Sequence, residues 1–238
     1  MLDVPAEVGG FLTDKMGKRL SNDAHIANIF VYDAASGEYV TLEGNTFVGG
    51  YQVELREGKY KLAAVNYFYH HMPSPSDLAV KYYPQGAEFY APENHTVWTS
   101  PYQSKKLNPL VMNKAPGSIA GSILDESTGL ALASFPAAVF VYDQNGFLAA
   151  VSAYGLYGGG YTSEYRVGGL RPGSYYLILW TFRDCGFSCS SQGEWYGGMD
   201  LSPEELAALS PRMTIPTSAY AVIVGEGETG AIDFYVKK

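Results

Sequence analysis

The chain has 238 residues and a net charge of -8, with 47% apolar and 17% charged residues. That length allows one large domain or two of ordinary size, each with a packed core. The acidic balance excludes nucleic acid as a partner, because phosphate binding needs clustered Lys and Arg. The lysine doublets, Lys105–Lys106 and Lys237–Lys238, are expected to be solvated. No apolar run approaches the roughly 18 residues that span a bilayer as a helix.

The 27 Gly and 20 Tyr residues fit strands and turns better than helices. The N-terminus, Met1 to Pro5, lacks the basic start and apolar core of a signal peptide. A cytosolic chain and a mature or excised piece of an exported protein both remain open on that evidence. Few charges and many Tyr, Gly, Ser and Thr residues favour export, so we expect an extracellular or cell-surface location.

An internal repeat organises the chain. Leu55 to Leu62 and Leu170 to Leu177 both read Leu-Arg-x-Gly-x-Tyr-x-Leu, 115 residues apart. Further matches keep the same order: 8–14 with 119–125, 29–33 with 139–143, 82–83 with 195–196, and 107–114 with 231–238. Because these matches occur in the same order and at similar offsets, they predict two copies of one structural unit. Pro116 and Gly117 end one strand pattern before the next begins, so the predicted domains are residues 1–114 and 115–238.

Within each copy the pattern predicts strands only. Residues 117–125 alternate with a period of two, and residues 137–142 form a second strand. The loop Asp143 to Gly146 is predicted to be a type I′ hairpin turn because it contains Asn-Gly. Residues 219–224 and 231–236 are predicted to form the last hairpin. About seven strands per copy, with frequent turn signals, are typical of a β-sandwich.

One segment has a helical pattern. Ser202 is a good N-cap, Pro203 suits the first turn, and Glu205 completes a capping box. A short helix is therefore predicted over residues 202–209. The predicted fold class is all-β, with two tandem seven-stranded β-sandwich domains and one short helix in the second.

The second copy carries a recognisable series of motifs: Ile119-x-Gly121-x-Ile123-x-Asp125, Thr128-Gly129, Tyr142-Asp143, Gly169-Leu170-x-Pro172-Gly173-x-Tyr175, Glu194 to Gly198 and Thr229-Gly230-x-Ile232-Asp233-Phe234. This copy resembles the carboxypeptidase regulatory-like domain, a prealbumin-like sandwich related to the Cna-B repeats. The first copy is a divergent match. The resemblance implies an accessory module such as a spacer, a stalk or an adhesion domain. Cna-B repeats often contain a Lys–Asn isopeptide bond, but none is expected in copy two, where no Lys lies between Lys114 and Lys237.

The two cysteines, Cys185 and Cys189, are spaced Cys-x3-Cys. In an exported protein they are expected to form a short disulfide, with free thiols as the alternative. A zinc site would need further ligands. All four histidines, His25, His70, His71 and His95, lie in copy one and are interpreted as solvated loop residues.

Aromatic residues are the main candidates for a binding role. The set expected in loop-rich stretches is Tyr82, Tyr83, Phe89, Tyr90, Trp98, Tyr102, Trp195 and Tyr196. Three roles remain open for them: covering the ends of the cores and the seam between the domains, contacting other subunits, or stacking on sugar rings.

Three acidic turns, Asp125-Glu126, Asp143-x-Asn145 and Glu226-x-Glu228, offer oxygen ligands for Ca²⁺ but match no full calcium loop. No other cofactor is indicated. The sequence has no Gly-x-Ser-x-Gly nucleophile elbow, and the cysteine pair has no His in its own copy, so catalysis is not expected. The leading hypothesis is a non-catalytic structural or adhesive module of a cell-surface protein or surface fibre. Its partners would be other domains or copies of itself, assembled head to tail through exposed strand edges. The alternative is a carbohydrate- or peptide-binding accessory module of a secreted hydrolase.

Overall fold

The protein is almost entirely β-structure, as the sequence predicted. A computed structural model describes residues 5–20, 26–44, 49–69, 80–83, 96–132, 137–154, 163–182, 191–202, 204–205 and 211–236. In these residues the only helical positions are Glu204 and Glu205. The chain divides into two compact units, here called unit 1 (Met1–Asn66 with Leu78–Lys114) and unit 2 (Tyr67–Asp77 with Ala115–Lys238). The predicted domains, 1–114 and 115–238, differ from this division at residues 67–77 and stay a prediction.

The first nine strands run from the start of the chain to residue 111. They are β1 (Ala6–Thr13), β2 (Ile26–Asp33), β3 (Tyr39–Gly44), β4 (Gly50–Leu55), β5 (Gly58–Tyr69), β6 (Lys81–Tyr82), β7 (Val97–Thr99), β8 (Ser104–Lys106) and β9 (Leu110–Val111). In one layer of unit 1, β1 pairs with β4, β8 and β9, and in the other β5 pairs with β2, β6 and β7, with β3 beside β2. Val8, Val53, Ile29, Val31 and Leu62 are buried together between these layers.

The remaining ten described strands belong to unit 2. They are β10 (Gly117–Asp125), β11 (Ala137–Asp143), β12 (Leu148–Tyr154), β13 (Glu164–Leu170), β14 (Gly173–Phe182), β15 (Ser191–Trp195), β16 (Met199–Asp200), β17 (Val222–Val224), β18 (Thr229–Ala231) and β19 (Phe234–Val236). One layer has β10 paired with β13, β18 and β19, and the other has the order β16-β15-β14-β11-β12, with β17 also on β14. Ile119, Val139, Val167, Leu177 and Phe234 belong to its core.

The repeated Leu-Arg-x-Gly-x-Tyr-x-Leu motif makes the same hydrogen bond in both units. The Tyr60 hydroxyl donates to the Arg56 carbonyl at 3.1 Å, and the Tyr175 hydroxyl donates to the Arg171 carbonyl at 2.8 Å. A Cβ at Gly58 would lie 2.9 Å from the Tyr60 hydroxyl, so a larger residue there would have to displace the Tyr60 side chain. The motif therefore stabilises a turn between two strands in each unit.

Other repeated residues also hold equivalent places. Tyr82 pairs with Ala63, and Trp195 pairs with Ile178. The next residue in each copy donates its backbone N–H to the central strand, Tyr83 to Leu62 and Tyr196 to Leu177, both at 2.8 Å. The sequence match between 82–83 and 195–196 thus corresponds to one structural position in each unit.

The turn after β11 differs from the type I′ geometry that Asn-Gly predicted. Gly146 has a φ of 79°, but Asn145 does not have a positive φ, and type I′ requires one at both central residues. The Gly146 N–H donates to the Asp143 carbonyl at 2.9 Å, and the strand register shifts between Val141 and Tyr142. This is a type I turn followed by a glycine in a bulge, which also joins antiparallel strands.

The predicted last hairpin was also wrong. β17 pairs with β14 in one layer, whereas β18 pairs with β10 in the other. The turn between them therefore carries the chain from one layer to the other. β17 and β18 thus pair in different layers, and the alternation of apolar and polar residues along the chain does not indicate which layer a strand joins.

The prediction of seven strands per domain was low. Each closing strand is split: β8 and β9 are separated by 107–109, and β18 and β19 by 232–233. Very short strands such as β6 and β16 add to the number. The predicted capping box is present, since the Ser202 N–H donates to Glu205 Oε2 at 2.9 Å and the Glu205 N–H donates to Ser202 Oγ at 3.2 Å. Residue 203 and the predicted helix after Glu205 lie outside the described residues.

Candidate functional site

An open groove in unit 2 has a volume of about 590 Å³. It is called the edge groove below, and its lining residues are Glu126, Leu179, Thr181, Gln192 to Gly198, Asp200, Leu201 and Asp233 to Val236. One wall is formed by β15, β16 and the turn between them. The other wall is formed by β19 and the end of β10. The edge groove therefore lies where an edge of one layer meets an edge of the other.

The floor of the edge groove is apolar. Leu179, Phe234 and Val236 form it, and each is at most 6% exposed. These side chains also belong to or border the core of unit 2, so the floor is held rigidly by packing. A preformed apolar floor with a few polar groups around it is the usual character of a binding site.

The rim of the edge groove is acidic. Glu126, Glu194, Asp200 and Asp233 line it, and none of its lining residues is Lys, Arg or His. Asp233 also has a structural role, because its Oδ1 accepts the Ser122 N–H at 2.8 Å. The local charge accordingly favours a cationic ligand over an anionic one.

Two predicted aromatic residues, Trp195 and Tyr196, lie at this groove. Trp195 is 1% exposed and its ring packs against Tyr142, with centroids 5.7 Å apart. The Tyr196 ring makes edge contacts with Tyr220 and Phe234 at 5.9 and 6.0 Å. The Tyr196 ring packs against the core of unit 2. Trp195 lies opposite Ile178, so its side chain points to the other face of the layer from Leu179.

The other predicted aromatics are not brought to this site. Trp98 is 58% exposed on β7, with Lys59 Nζ 4.0 Å from its ring centre, while Tyr83 packs against the core of unit 1. Tyr82 lies in β6. The expectation that these aromatics lie in loops was wrong for Tyr82, Trp98 and Trp195, since each lies in a strand. Tyr102 is 77% exposed, and Phe89 and Tyr90 lie outside the described residues.

The acidic turns proposed for Ca²⁺ have structural uses. Asp125 Oδ1 accepts the N–H groups of Ser127 and Thr128, and Asp143 Oδ1 accepts those of Asn145 and Phe147. Glu228 in the third turn accepts the Gly225 N–H. Within the described part of the chain, no group of three or more His, Cys, Asp or Glu residues is arranged to hold a metal ion.

The remaining sequence predictions fall on other residues. Cys185, Cys189 and all four histidines lie outside the described residues, so the disulfide stays a prediction. Among the residues that the structure describes, no helix is both long and apolar enough to cross a membrane.

Comparisons with known proteins give distant structural likenesses. No family model matches the chain, and no curated protein matches it. The Bacillus anthracis TIE protein aligns over 98% of this chain and 34% of its own, with 13% identity and a TM-score of 0.34. A streptococcal ancillary pilin aligns over 87% of this chain and 61% of its own, with 16% identity and a TM-score of 0.31. This chain therefore spans about a third and about three-fifths of those two proteins.

A third structure, a DUF3823 family protein from Bacteroides ovatus, aligns over 80% of this chain and 97% of its own. Its identity is 13% and its TM-score is 0.29.

The sequence pointed to the all-β fold and to Trp195 and Tyr196, but not to the edge groove. Leu179, Asp200 and Val236 are ordinary strand residues in sequence, and no motif marks them as neighbours.

Proposed function

We propose that this chain is a non-catalytic structural or adhesive module of an extracellular protein or surface fibre. In this proposal it consists of two tandem copies of a carboxypeptidase regulatory-like, prealbumin-type sandwich. One observation carries the proposal: in each unit the first strand is a parallel neighbour of the closing strands. That arrangement resists tension applied to the ends of the chain.

In unit 1 the closing strands hold the first strand along its length. β1 is parallel to β8 and to β9. Connecting hydrogen bonds run from Glu7 N–H to the Gln103 carbonyl at 2.8 Å and from Leu107 N–H to the Gly9 carbonyl at 2.7 Å. β8 and β9 therefore form hydrogen bonds with successive parts of β1, which join the first strand of the unit to its last strands.

Unit 2 has the same arrangement with added side-chain bonds. β10 is parallel to β18 and to β19. Ile232 N–H donates to the Ala120 carbonyl at 2.9 Å, and the Ser118 and Thr229 hydroxyl oxygens are 2.8 Å apart. The Asp233 carboxylate adds its bond to Ser122 N–H. These noncovalent contacts join the first and last parts of the unit.

The direction of force explains why this pairing matters. In a parallel pair, the N-terminus of the first strand and the C-terminus of the last lie at opposite ends of the ladder. Tension on the two chain ends therefore acts along the strands, and all the inter-strand hydrogen bonds share it. In an antiparallel pair those ends lie together, so the bonds would break one after another. Resistance of this kind is a property of the unfolding rate.

Single-molecule force spectroscopy on the full chain tests the proposal. Handles at residues 1 and 238 load β10 and β19 in shear, whereas handles at residues 126 and 238 pull on the same end of that pair and peel it. We expect unit 2 to unfold at clearly lower force in the peeling geometry. We also expect Asp233→Ala to lower the shear force, with Glu226→Gln, at an exposed turn position, as the matched control. Equal forces in both geometries would refute a tension-bearing role.

The edge groove favours a second candidate function. A groove of about 590 Å³ with an apolar floor is a suitable place for a peptide of a partner protein, which corresponds to a peptide-binding accessory module. This role is compatible with the first, because an adhesive module both bears tension and holds a partner.

A further inference from the structure

We propose that the edge groove of unit 2 binds an extended, lysine- or arginine-bearing peptide by strand addition. The inference rests on the second candidate function and names its ligand. Three features of the described residues carry it: the direction of the backbone groups in the two walls, the apolar floor, and the sign of the charge. Each restricts the ligand in a different way.

One edge of β19 has backbone N–H and C=O groups that point away from its partner strand β10. The Val236 carbonyl accepts the Glu126 N–H at 3.0 Å, so the peptide groups of Val236 point toward β10. Successive residues of a strand direct their N–H and C=O groups to opposite sides. Those of Tyr235 therefore point away from β10, and β19 pairs only with β10 among the described strands.

The opposite wall has the same property. Leu201 N–H donates to the Gly193 carbonyl at 2.7 Å, and Asp200 lies opposite Glu194 in the antiparallel pair. This pattern makes Asp200 a residue whose peptide groups point away from β15. β16 pairs only with β15 among the described strands. Among the described strands, β19 and β16 are therefore sheet edges, and such edges can bind an extended chain through its backbone.

The floor and the rim select the side chains of that peptide. An added strand directs alternate side chains to opposite faces, so one set can enter the apolar floor while the other remains at the rim. The rim carries four carboxylates and no basic group. Residues 115–238 as a whole contain 12 acidic and 6 basic residues. A peptide in which apolar and basic residues alternate meets both requirements.

The same geometry favours a peptide over a sugar. Sugar rings stack on exposed aromatic faces, but Trp195 is buried and the Tyr196 ring already packs against two other rings. A Trp195→Ala variant would remove a buried side chain and is therefore a poor probe of binding. Variants at the rim are better, because Asp200 is exposed and Glu126 is exposed.

The test uses fluorescence anisotropy with the full chain and synthetic peptides of about eight residues, within the usual strand length. One labelled peptide alternates valine with lysine, a second alternates valine with glutamate, and a third is the lysine peptide with alternate backbone nitrogens methylated. We expect binding of the lysine peptide only. Loss of binding on methylation is the result expected from strand addition, since methylation removes the N–H donors.

Charge variants complete the test. Asp200→Asn and Glu126→Gln should each lower the affinity for the lysine peptide by about two- to five-fold, as expected for exposed ion pairs. A higher salt concentration should lower this affinity further. Glu226→Gln, outside the groove, should leave affinity unchanged. Equal affinity for the glutamate peptide, full binding of the methylated peptide, or binding of an oligosaccharide panel in place of the lysine peptide would each overturn the proposal. None of these results alters the force measurement, so the two proposals fail separately.

Discussion

Two buried tyrosines provide a sharp test of hydrogen bonding in the two cores. Tyr51 lies opposite Gly10 in unit 1, and Tyr165 lies opposite Gly121 in unit 2. Their exposed fractions are 4% and 3%. The Tyr165 hydroxyl donates to the Ile232 carbonyl at 2.7 Å. The Tyr51 hydroxyl is buried without a hydrogen-bond partner among the described residues, and burial raises the pKa of this phenol above its ordinary value, with the Tyr83 phenol adding to the shift.

Replacing each tyrosine by phenylalanine should therefore have opposite effects. Tyr165→Phe removes a hydrogen bond and leaves a carbonyl unsatisfied, which should lower the free energy of unfolding by about 1–2 kcal/mol. Tyr51→Phe removes only an unsatisfied hydroxyl, whose burial costs roughly 1–3 kcal/mol. Part of that cost should be recovered, so we expect unit 1 to be unchanged or more stable by about 1 kcal/mol.

Hydrogen exchange on the full chain, followed by mass spectrometry, measures both effects separately. Peptides from β1 and β4 report unit 1, and peptides from β10 and β13 report unit 2, because local opening free energies are read segment by segment. Faster exchange of β10 and β13 in Tyr165→Phe is the expected result. If Tyr51→Phe destabilises unit 1 as much as Tyr165→Phe destabilises unit 2, the reasoning about the unsatisfied hydroxyl is refuted.

Two further outcomes follow from turn residues. Gly146 and Gly129 have φ values of 79° and 66°, but only at Gly146 would a side chain strike a neighbouring backbone group, the Met213 carbonyl. In urea unfolding, Gly129→Ala should lower the free energy of unfolding by about 1–2 kcal/mol, and Gly146→Ala should lower it distinctly more. Equal losses would show that the contact with the Met213 carbonyl is not important. Asp33 accepts hydrogen bonds from the Ser36 N–H and hydroxyl, which lower the pKa of its carboxyl. Because its pKa is lowered by folding, the Asp33 carboxylate stabilises the folded state above the ordinary pKa of 3.8, and this stabilisation is lost as the pH falls through the folded pKa. Asp33→Asn should therefore reduce the dependence of the free energy of unfolding of unit 1 on acid pH. An unchanged dependence in the variant would contradict this reasoning.

Features that depend on neighbouring residues were predictable. The alternation of residues 117–125 predicted β10, and the Ser202 and Glu205 pair predicted a capping box that is present. The turn at Asp143 was predicted in place but not in type, because the bulge beside Tyr142 depends on how β11 and β12 align. Local patterns specify that a turn occurs, whereas strand alignment selects its geometry.

Pairing between distant strands was not predictable from the pattern. β17 and β18 look like a hairpin in sequence, yet they join opposite layers of unit 2. Trp195 was predicted to lie in a loop-rich stretch, but it lies in β15, and its ring packs against Tyr142, far earlier in the chain. Period-two alternation identifies which face of a strand is apolar, but it carries no information about which strand covers that face.

The all-β class, the recurring motif and most turns follow from residues close together in the chain, since strand alternation and turn chemistry act over a few positions. The parallel joining of first and last strands and the edge groove exist only after folding. The groove brings together residues from 126, 179–201 and 233–236, and its acidic rim and unpaired edges arise from sheet order. Sheet order is a choice among long-range pairings of similar local energy, so it is decided by the packing of the whole core.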